Sequence, residues 1–552
     1  MKNNLRAILI LLGLSYVFFM LGNGIISLTN PDEVFYVQTA KEMAQHNSWM
    51  TEYLFNAPQF EKPILLYWFL RASLIIFPNP NFAGRFPPAL FAGLGVVAVY
   101  LLGLLGFKNE KKAFISALVL MSCGLYVGLA RTVFTDMIFS VLILFSLLSF
   151  YWGYALRHRR GPGILLFFIF SGLAVLAKGP LGLFIPIATV VAFLLIKKDI
   201  KFLFCGYSLW GIIVFIAISF PWYLFMIKRY GMSFINEFFY NDHIRRFLEA
   251  EHISNDKWYF YPFSMIGCIF PWSLYTLASL AYLFKAIKRN TNSFYLFLVC
   301  WICVVFVVFQ PAHSKLVSYI FPLFPALAII TGDFIYNGAC LENKNKSFFV
   351  ISLVTGLILL LMAIGLGVSM HIPRLTSYFA SKMPLYLIFF SLLFSSVLFC
   401  SFVFKRKFLK AVFVLFALMC CLSIILLLII KETETYVSSK QSSEYLLKNY
   451  DVSGPIICSK AFARGVRYYT NKEITIIDLP GKNFFSPHPL TFLYNDNKAI
   501  EYLHKQTTSY CILKKANVED IERIVYLSHN EFKFTVLKVI GNEYILRIEH
   551  VK

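Results

Sequence analysis

The sequence predicts a polytopic α-helical membrane protein followed by a soluble α/β domain. Of its 552 residues, 58% are hydrophobic and 14% are charged, and the mean hydropathy is +0.67. A soluble protein could not keep such a composition in water. Between residues 7 and 430, apolar segments of roughly membrane-spanning length recur about thirteen times. After residue 430 they give way to short alternating helix-like and strand-like segments.

The gaps between the apolar segments differ in charge, and this difference predicts the topology. Gaps such as 108–112 and 405–410 are short and basic, which places them in the cytoplasm by the positive-inside rule. Gaps such as 28–81 and 227–258 are longer and mixed in charge, so we expect them outside. The net charge of +22 is explained by this topology and by anionic lipid head groups, and it predicts no nucleic-acid partner.

Two domains are predicted, a membrane domain over 1–430 and an external α/β domain over 431–552. In the first outer loop, the near-helical spacing of 33–46 predicts a helix lying in the membrane interface. The apolar segment 63–77 is too short to span and is predicted to be interfacial or re-entrant. The external domain contains two cysteines, Cys458 and Cys511. They could form a disulfide or remain as two buried thiols, and we favour the buried thiols.

The adjacent carboxylates of Asp32 and Glu33 are the most informative feature of the chain. They follow the first apolar segment directly, and two acids at a membrane exit are costly unless they contact water or a cation. Helix capping would explain one of them and leave the other. The pair therefore indicates a functional site on the outer side.

Further candidate residues fall on the same predicted side of the membrane. Each has a simpler explanation: lysines near helix ends commonly extend to head groups, an aspartate caps a helix, and a tyrosine joins an interfacial belt. Their convergence on one side exceeds what anchoring requires. The set is Glu61, Lys62, Asp136, Lys178, His243, Arg246 and Tyr319.

These residue types suit the transfer of a sugar from a polyprenyl-phosphate carrier. The departing phosphate gathers negative charge, which fixed cations such as Lys62 and Arg246 would stabilise, helped by Lys178 and Tyr319. Asp32 would orient or deprotonate the acceptor. Glu33 and Asp136 are further catalytic candidates. Glu61 and His243 could together hold a divalent metal ion, and these ligands fit zinc better than magnesium. We expect no organic cofactor.

A transporter or lipid flippase is the alternative class. Such proteins place charges near the bilayer midplane and often contain internal repeats, whereas these charges cluster at one surface and the sequence shows no repeat. We therefore rank this alternative below an enzyme.

The ordered motifs resemble the GT-C superfamily of membrane glycosyltransferases, and most of all the lipid A 4-amino-4-deoxy-L-arabinose transferases, which are related to the protein O-mannosyltransferases. The resemblance covers about the first 325 residues. Its motifs are 31–33 (Pro-Asp-Glu), 60–63 (Phe-Glu-Lys-Pro), Tyr67-Trp68, Lys178-Gly179, Pro221-Trp222, His243-Ile244, Arg246-Phe247, Lys315-Leu316, Tyr319 and Pro322.

The resemblance implies a GT-C fold and an inverting transfer of aminoarabinose from undecaprenyl phosphate to a phosphate of lipid A. The enzyme would be a monomer of the bacterial inner membrane, with its active site and C-terminal domain in the periplasm. Two departures leave the sugar open: Phe35 stands where the family has Arg, and Gln59 where it has Tyr. Another carrier-linked sugar, or a hydroxyl acceptor on a glycan or protein as in O-mannosyltransferases, is the alternative.

Overall fold

The computed structural model describes residues 2–249, 253–288, 293–341, 346–376, 379, 381–479 and 488–551. The chain forms two compact units. The helical unit comprises Met1–Asn23, Lys62–Leu66 and Arg85–Ile429, and the mixed unit comprises Gly24–Glu61, Tyr67–Gly84 and Ile430–Lys552. The α/β residues after 430 therefore pack in one unit with the first outer loop. The predicted boundary between 1–430 and 431–552 stays a prediction.

The helical unit is built from long apolar helices joined by short loops. The main helices are Lys2–Ser15, continued by Tyr16–Met20, then Pro80–Phe107, Glu110–Met121, Gly124–Ala130, Thr135–Ala155, Arg160–Lys178, Leu181–Ile196, Gly206–Tyr230, Phe260–Cys268, Ser273–Lys288, Ser293–Phe309, Phe324–Tyr336, Lys346–Ser369, Met383–Phe404 and Phe408–Glu432. The segment 227–258 adds the short helices Met232–Phe234, Ile235–Arg245 and Arg246–Leu248.

Within the described residues, eight helices are long and apolar enough to cross a membrane, and two bent pairs bring this number to ten. Shorter apolar helices such as Leu181–Ile196 and Ser293–Phe309 supply the rest of the predicted pattern. Each predicted apolar segment coincides with one of these helices or bent pairs. The multi-pass helical prediction is confirmed, and the number of thirteen crossings stays a prediction.

The two bent pairs meet each other at their breaks. Glu110–Met121 and Gly124–Ala130 are bent by 64°, and Phe260–Cys268 and Ser273–Leu283 by 119°. The Gly124 N–H donates to the Phe270 carbonyl at 3.0 Å, and Trp272 Nε1 donates to Ser122 Oγ at 3.0 Å. Unsatisfied backbone groups are costly in an apolar environment, so each break supplies partners to the other.

In the mixed unit, the two predicted helices of the first outer loop are present as Asp32–Gln45 and Leu65–Ile76, with the hairpin strands β1 (Tyr53–Leu54) and β2 (Ala57–Pro58) between them. Most of Asp32–Gln45 is buried, polar residues included. Gln38 donates to Glu42 at 2.6 Å, and Glu42 accepts from Arg467 Nε at 3.2 Å. The polar side chains that suggested an interfacial helix therefore bond within the unit.

The C-terminal part of this unit is a six-stranded mixed sheet, as the α/β prediction requires. Its strands are β3 (Ile456–Ser459), β4 (Ile474–Ile477), β5 (Thr491–Leu493), β6 (Thr508–Leu513), β7 (Phe532–Ile540) and β8 (Glu543–His550). They lie in the order β5-β4-β3-β6-β8-β7, parallel from β5 to β6 and antiparallel at β8 and β7. The helices are Glu434–Val437, Lys440–Asn449, Ala463–Thr470, Asp496–His504 and Lys515–Leu527.

The cysteines of this sheet are free thiols. Cys458 on β3 and Cys511 on β6 are both fully buried. The register pairs Ile457 with Cys511, so the two thiols, one position apart, point to opposite faces. They lie in separate core clusters. The favoured reading of two buried thiols is confirmed.

Candidate active site

Lys62 and Arg246 share one carboxylate, that of Asp242. Lys62 Nζ lies 2.6 Å from Asp242 Oδ2, and Arg246 Nη2 lies 3.3 Å from Asp242 Oδ1. The π-helix Ile235–Arg245 carries Asp242 one turn before Arg246, so both side chains face the same side. The Asp242 side chain is only 2% exposed, and its two partners are 16% and 17% exposed. The trio carries one net positive charge in a largely buried place.

Lys178 and Asp136 form a second buried ion pair in the helical unit. Lys178 Nζ lies 2.5 Å from Asp136 Oδ1, with side-chain exposures of 16% and 8%. Lys178 ends the helix Arg160–Lys178, and Asp136 lies in the first turn of Thr135–Ala155. The ammonium also lies 4.8 Å from the centre of the Tyr319 ring. Because its charge is paired, Lys178 does more than extend to head groups.

His243 connects these two groups of charges. Its Nδ1 lies 2.7 Å from the Phe238 carbonyl, and since a carbonyl only accepts, Nδ1–H is the donor. Burial lowers the pKa of His243 and outweighs the bond to the Phe238 carbonyl and the nearby Asp242 carboxylate, which both raise it. Gly179 has φ +93°, and a Cβ there would lie 2.5 Å from His243 Nε2. Only glycine lets the turn after Lys178 approach the imidazole so closely.

Asp32 and Glu33 belong to the mixed unit and differ in environment. Asp32 is exposed at the start of Asp32–Gln45, whereas Glu33 is 1% exposed. Glu33 Oε2 accepts from the Thr29 N–H at 3.0 Å and from Thr29 Oγ1 at 2.9 Å. Glu33 thus holds the turn before the helix, and Asp32 is the more accessible acid. Lys62 and Arg246 lie in the helical unit, so a shared hollow with Asp32 stays a prediction.

Glu61 contacts two residues of the C-terminal α/β part. Its Oε1 lies 3.5 Å from Arg464 Nη2 and 3.8 Å from His488 Nε2. Arg464 Nη2 lies 3.0 Å from His488 Nε2, and its guanidinium lies 4.4 Å from the centre of the Phe35 ring. Burial lowers the pKa of His488 to about 3, so the imidazole accepts from Arg464.

These contacts do not fit the predicted metal ligands well. A carboxylate that faces a guanidinium is already balanced by a positive charge, and a divalent cation beside Arg464 would be repelled. Within the described ranges, no group of three or more His, Cys, Asp or Glu side chains could hold a metal ion. The Glu61–His243 zinc site stays a prediction, and we derive no catalytic step through a metal.

Sequence reasoning missed three residues of these clusters. Asp242 had a signal, because an acid one helical turn before Arg246 faces the same side. Arg464 and His488 had none, because only the fold brings residues so distant in sequence to Glu61.

The chain is similar to known membrane glycosyltransferases. Residues 61–225 match the family model described as dolichyl-phosphate-mannose-protein mannosyltransferase. The chain superposes on ArnT from Cupriavidus metallidurans bound to undecaprenyl phosphate, with a TM-score of 0.79, 18% identity and coverage of 98% of this chain and 97% of that one. The chain has the GT-C fold. The resemblance predicted from the sequence is thereby confirmed.

Other relatives agree with this assignment. An undecaprenyl phosphate-alpha-4-amino-4-deoxy-L-arabinose arabinosyl transferase of Serratia proteamaculans is 28% identical over 386 residues, 68% of each chain. The same-named protein of Yersinia pestis strain Pestoides F is 30% identical over 351 residues, and the alignment spans 62% of its length. The archaeal oligosaccharyltransferase AglB of Archaeoglobus fulgidus superposes with a TM-score of 0.52 at 12% identity, covering 93% of this chain and 69% of that one.

Proposed function

We propose that this chain is a polyprenyl-phosphate-dependent glycosyltransferase that moves 4-amino-4-deoxy-L-arabinose from undecaprenyl phosphate to a phosphate of lipid A. The observation that carries the proposal is the trio Lys62, Asp242 and Arg246, which holds two cations on one nearly buried carboxylate. The Serratia and Yersinia relatives, which are named for the transfer of this sugar from undecaprenyl phosphate, support the choice of sugar and carrier.

The trio is suited to bind the phosphate of the carrier. Lys supplies a compact charge and Arg a planar fork that matches phosphate oxygens. As the bond from the sugar to the phosphate breaks, negative charge grows on the departing oxygen, and both cations stabilise it in a place with little water. Asp242 keeps the two cations in position before the donor arrives. Lys178, fixed by Asp136 and Tyr319, supplies a third positive charge.

The acceptor decides the role of Asp32. A lipid A phosphate is already an anion and needs no base, so Asp32 would orient the reacting groups. A hydroxyl acceptor would instead make Asp32 the general base. The exposure of Asp32 is compatible with both roles, whereas the buried Glu33 is bonded to Thr29 and suits a structural one.

The sugar is recognised by residues that compensate for the two departures from the family pattern. Phe35 replaces an Arg, but the Arg464 guanidinium lies against its ring. Gln59 replaces a Tyr, and its Nε2 donates to the Tyr67 hydroxyl at 3.0 Å. We assign Glu61 and Arg464 to the polar groups of the sugar, with Arg464 in place of a divalent cation as the charge that balances Glu61.

The multi-pass helical fold and the distribution of basic gaps support a membrane location. We place the protein in the bacterial inner membrane as a monomer, with the catalytic residues and the α/β part in the periplasm. An added aminosugar cancels negative charge on lipid A and weakens the attraction of cationic peptides such as polymyxin.

Mass spectrometry of the product tests this proposal. The purified protein is incubated in nanodiscs with undecaprenyl phosphate–aminoarabinose and lipid A, beside the Lys62→Ala variant. A pentosamine-sized increase in lipid A mass with the wild type, lost in the variant, is the expected result. No mass increase with this donor, together with a hexose-sized increase from a hexose-loaded carrier, would redirect the assignment to another sugar.

A further inference from the structure

The segment just before Asp32 is bonded to the C-terminal α/β part at positions 27, 28 and 30. The Ser27 N–H donates to Glu434 Oε1 at 2.9 Å. The Leu28 carbonyl accepts from the Tyr469 hydroxyl at 2.9 Å, and the Asn30 N–H donates to the Val437 carbonyl at 2.8 Å. Backbone groups of a loop usually bond to water. Here they are fixed by residues about four hundred positions away in the sequence.

A series of hydrogen bonds between side chains reinforces this attachment. Asn30 Nδ2 donates to Ser439 Oγ at 2.6 Å, and Ser439 Oγ donates to Glu543 Oε1 at 2.5 Å. Ser439 and Glu543 are 0% and 1% exposed. Gly465 closes the other side of Asn30, because a Cβ at 465 would lie 1.8 Å from Asn30 Oδ1. Asn30 is half-buried, its Nδ2 is bonded to Ser439, and its enclosed Oδ1 lies beside Gly465, so the amide restricts the position of the chain.

The fixed position is passed on to the acids. Thr29, between the bonded residues Leu28 and Asn30, donates from its N–H and its hydroxyl to Glu33 Oε2. The turn that carries Asp32 is therefore held on both sides, by Asn30 before it and Glu33 after it. A carboxylate that orients or deprotonates an acceptor needs such a fixed position, because a misplacement of about 1 Å costs roughly 100-fold in rate.

We propose that Asn30, Ser439 and Glu543 are positioning residues for Asp32, so that the C-terminal α/β part acts in sugar transfer by fixing the catalytic turn. The inference rests on the proposed function, because it takes Asp32 as a participant in that transfer. None of the three residues needs to touch the substrate.

The test compares two buried serines of the same α/β part. Ser439→Ala removes the central hydroxyl of the chain, and Ser439→Thr restores one. Ser459→Ala is the matched control, because Ser459 is also fully buried and donates to Asn517 at 2.6 Å, away from the turn. Transfer kinetics with undecaprenyl phosphate–aminoarabinose are measured together with amide hydrogen exchange over residues 26–36.

We expect Ser439→Ala to lower kcat about 10-fold to 100-fold with little change in the donor KM, and to speed exchange at Ser27 and Asn30. Ser439→Thr should recover most of the rate, and Ser459→Ala should change neither quantity. Gly465→Ala, which pushes on Asn30 from the other side, should reproduce the Ser439→Ala result.

The outcomes separate this inference from the proposed function. If the wild type transfers the sugar and Ser439→Ala has the same kcat, the positioning role alone is overturned, even if amide exchange becomes faster in the variant. An equal loss of kcat in Ser459→Ala would also overturn it, because general destabilisation would then be the cause. No transfer by the wild type from this donor would refute the proposed function and the catalytic part of the inference with it.

Discussion

Replacing Asp242 by Asn tests whether the trio is a phosphate site with its own counter-ion. The change keeps the shape of the side chain and removes the negative charge between Lys62 and Arg246. At about 3 Å and an effective dielectric constant near 20, each ion pair has a Coulomb energy of about 5 kcal/mol, most of which desolvation offsets. Breaking a buried pair costs about 3–5 kcal/mol. Because both cations are slightly exposed, we expect a cost at the lower end of this range, about 3 kcal/mol.

Asp242→Asn should therefore lower the free energy of unfolding of the empty protein by about 3 kcal/mol. Undecaprenyl phosphate should restore about half of this loss, because its phosphate supplies the missing negative charge. In the variant, the phosphate no longer competes with the Asp242 carboxylate for the two cations, so the affinity of the carrier lipid should rise about 10-fold. This increase corresponds to about 1.4 kcal/mol of extra stabilisation at saturation. Thermal unfolding in detergent, with and without the carrier lipid, measures both effects.

Glu249→Gln is the matched control. Glu249 lies in the same segment, 227–258, and pairs with Arg245 at 2.8 Å, with side-chain exposures of 59% and 38%. Exposed pairs contribute little, so this variant should unfold close to the wild type and gain no extra stabilisation from the lipid. If Asp242→Asn is as stable as the wild type, or if the lipid stabilises both equally, the assignment of the trio to phosphate is refuted.

Four further predictions follow from the other clusters. Lys178→Met should lower kcat while the protein still inserts, and Asp136→Asn should lower it less; equal rates for wild type and Lys178→Met in the transfer assay would remove Lys178 from the site. Gly179→Ala should displace His243 and lower the unfolding temperature, whereas Gly128→Ala, with open space at its Cβ, should not. Burial raises the pKa of Glu543 to about 7, so its contribution to stability is complete below about pH 4.5 and is lost as the pH rises towards 7. Glu543→Gln should therefore flatten the plot of the free energy of unfolding against pH in this range. An unchanged slope in the variant would contradict this prediction. EDTA should leave the transfer rate unchanged if Arg464 balances Glu61, and recovery of a lost rate by zinc would support the predicted metal site instead.

The helical architecture could be predicted from the sequence because lipid imposes a simple rule. Long apolar segments must form helices there, and basic gaps mark one side of the membrane. The breaks at Gly124 and near Phe270 were not predicted, because they depend on hydrogen bonds between segments distant in sequence. Hydropathy averages over a window and cannot show a bend inside it.

The candidate site was predicted in its residue types more than in its pairings. Lys62, Arg246, Lys178 and Asp136 were all selected from the sequence, but which cation would pair with which acid was not. Asp242 could be predicted only from its spacing of one helical turn from Arg246. The environment of Glu61 could not be read at all, since Arg464 reaches it only through the fold of the α/β part.

The mutual bonding of the two broken helices limits how this enzyme can move. A transporter changes access by rocking one bundle against another, which requires an interface that can slide. Here the kink at Gly124 and the kink beside Trp272 each depend on the other for a hydrogen-bond partner, so sliding one helix would strand polar groups in both. This part of the bundle should behave as a rigid frame, and substrate entry and product exit should be left to the segments around it.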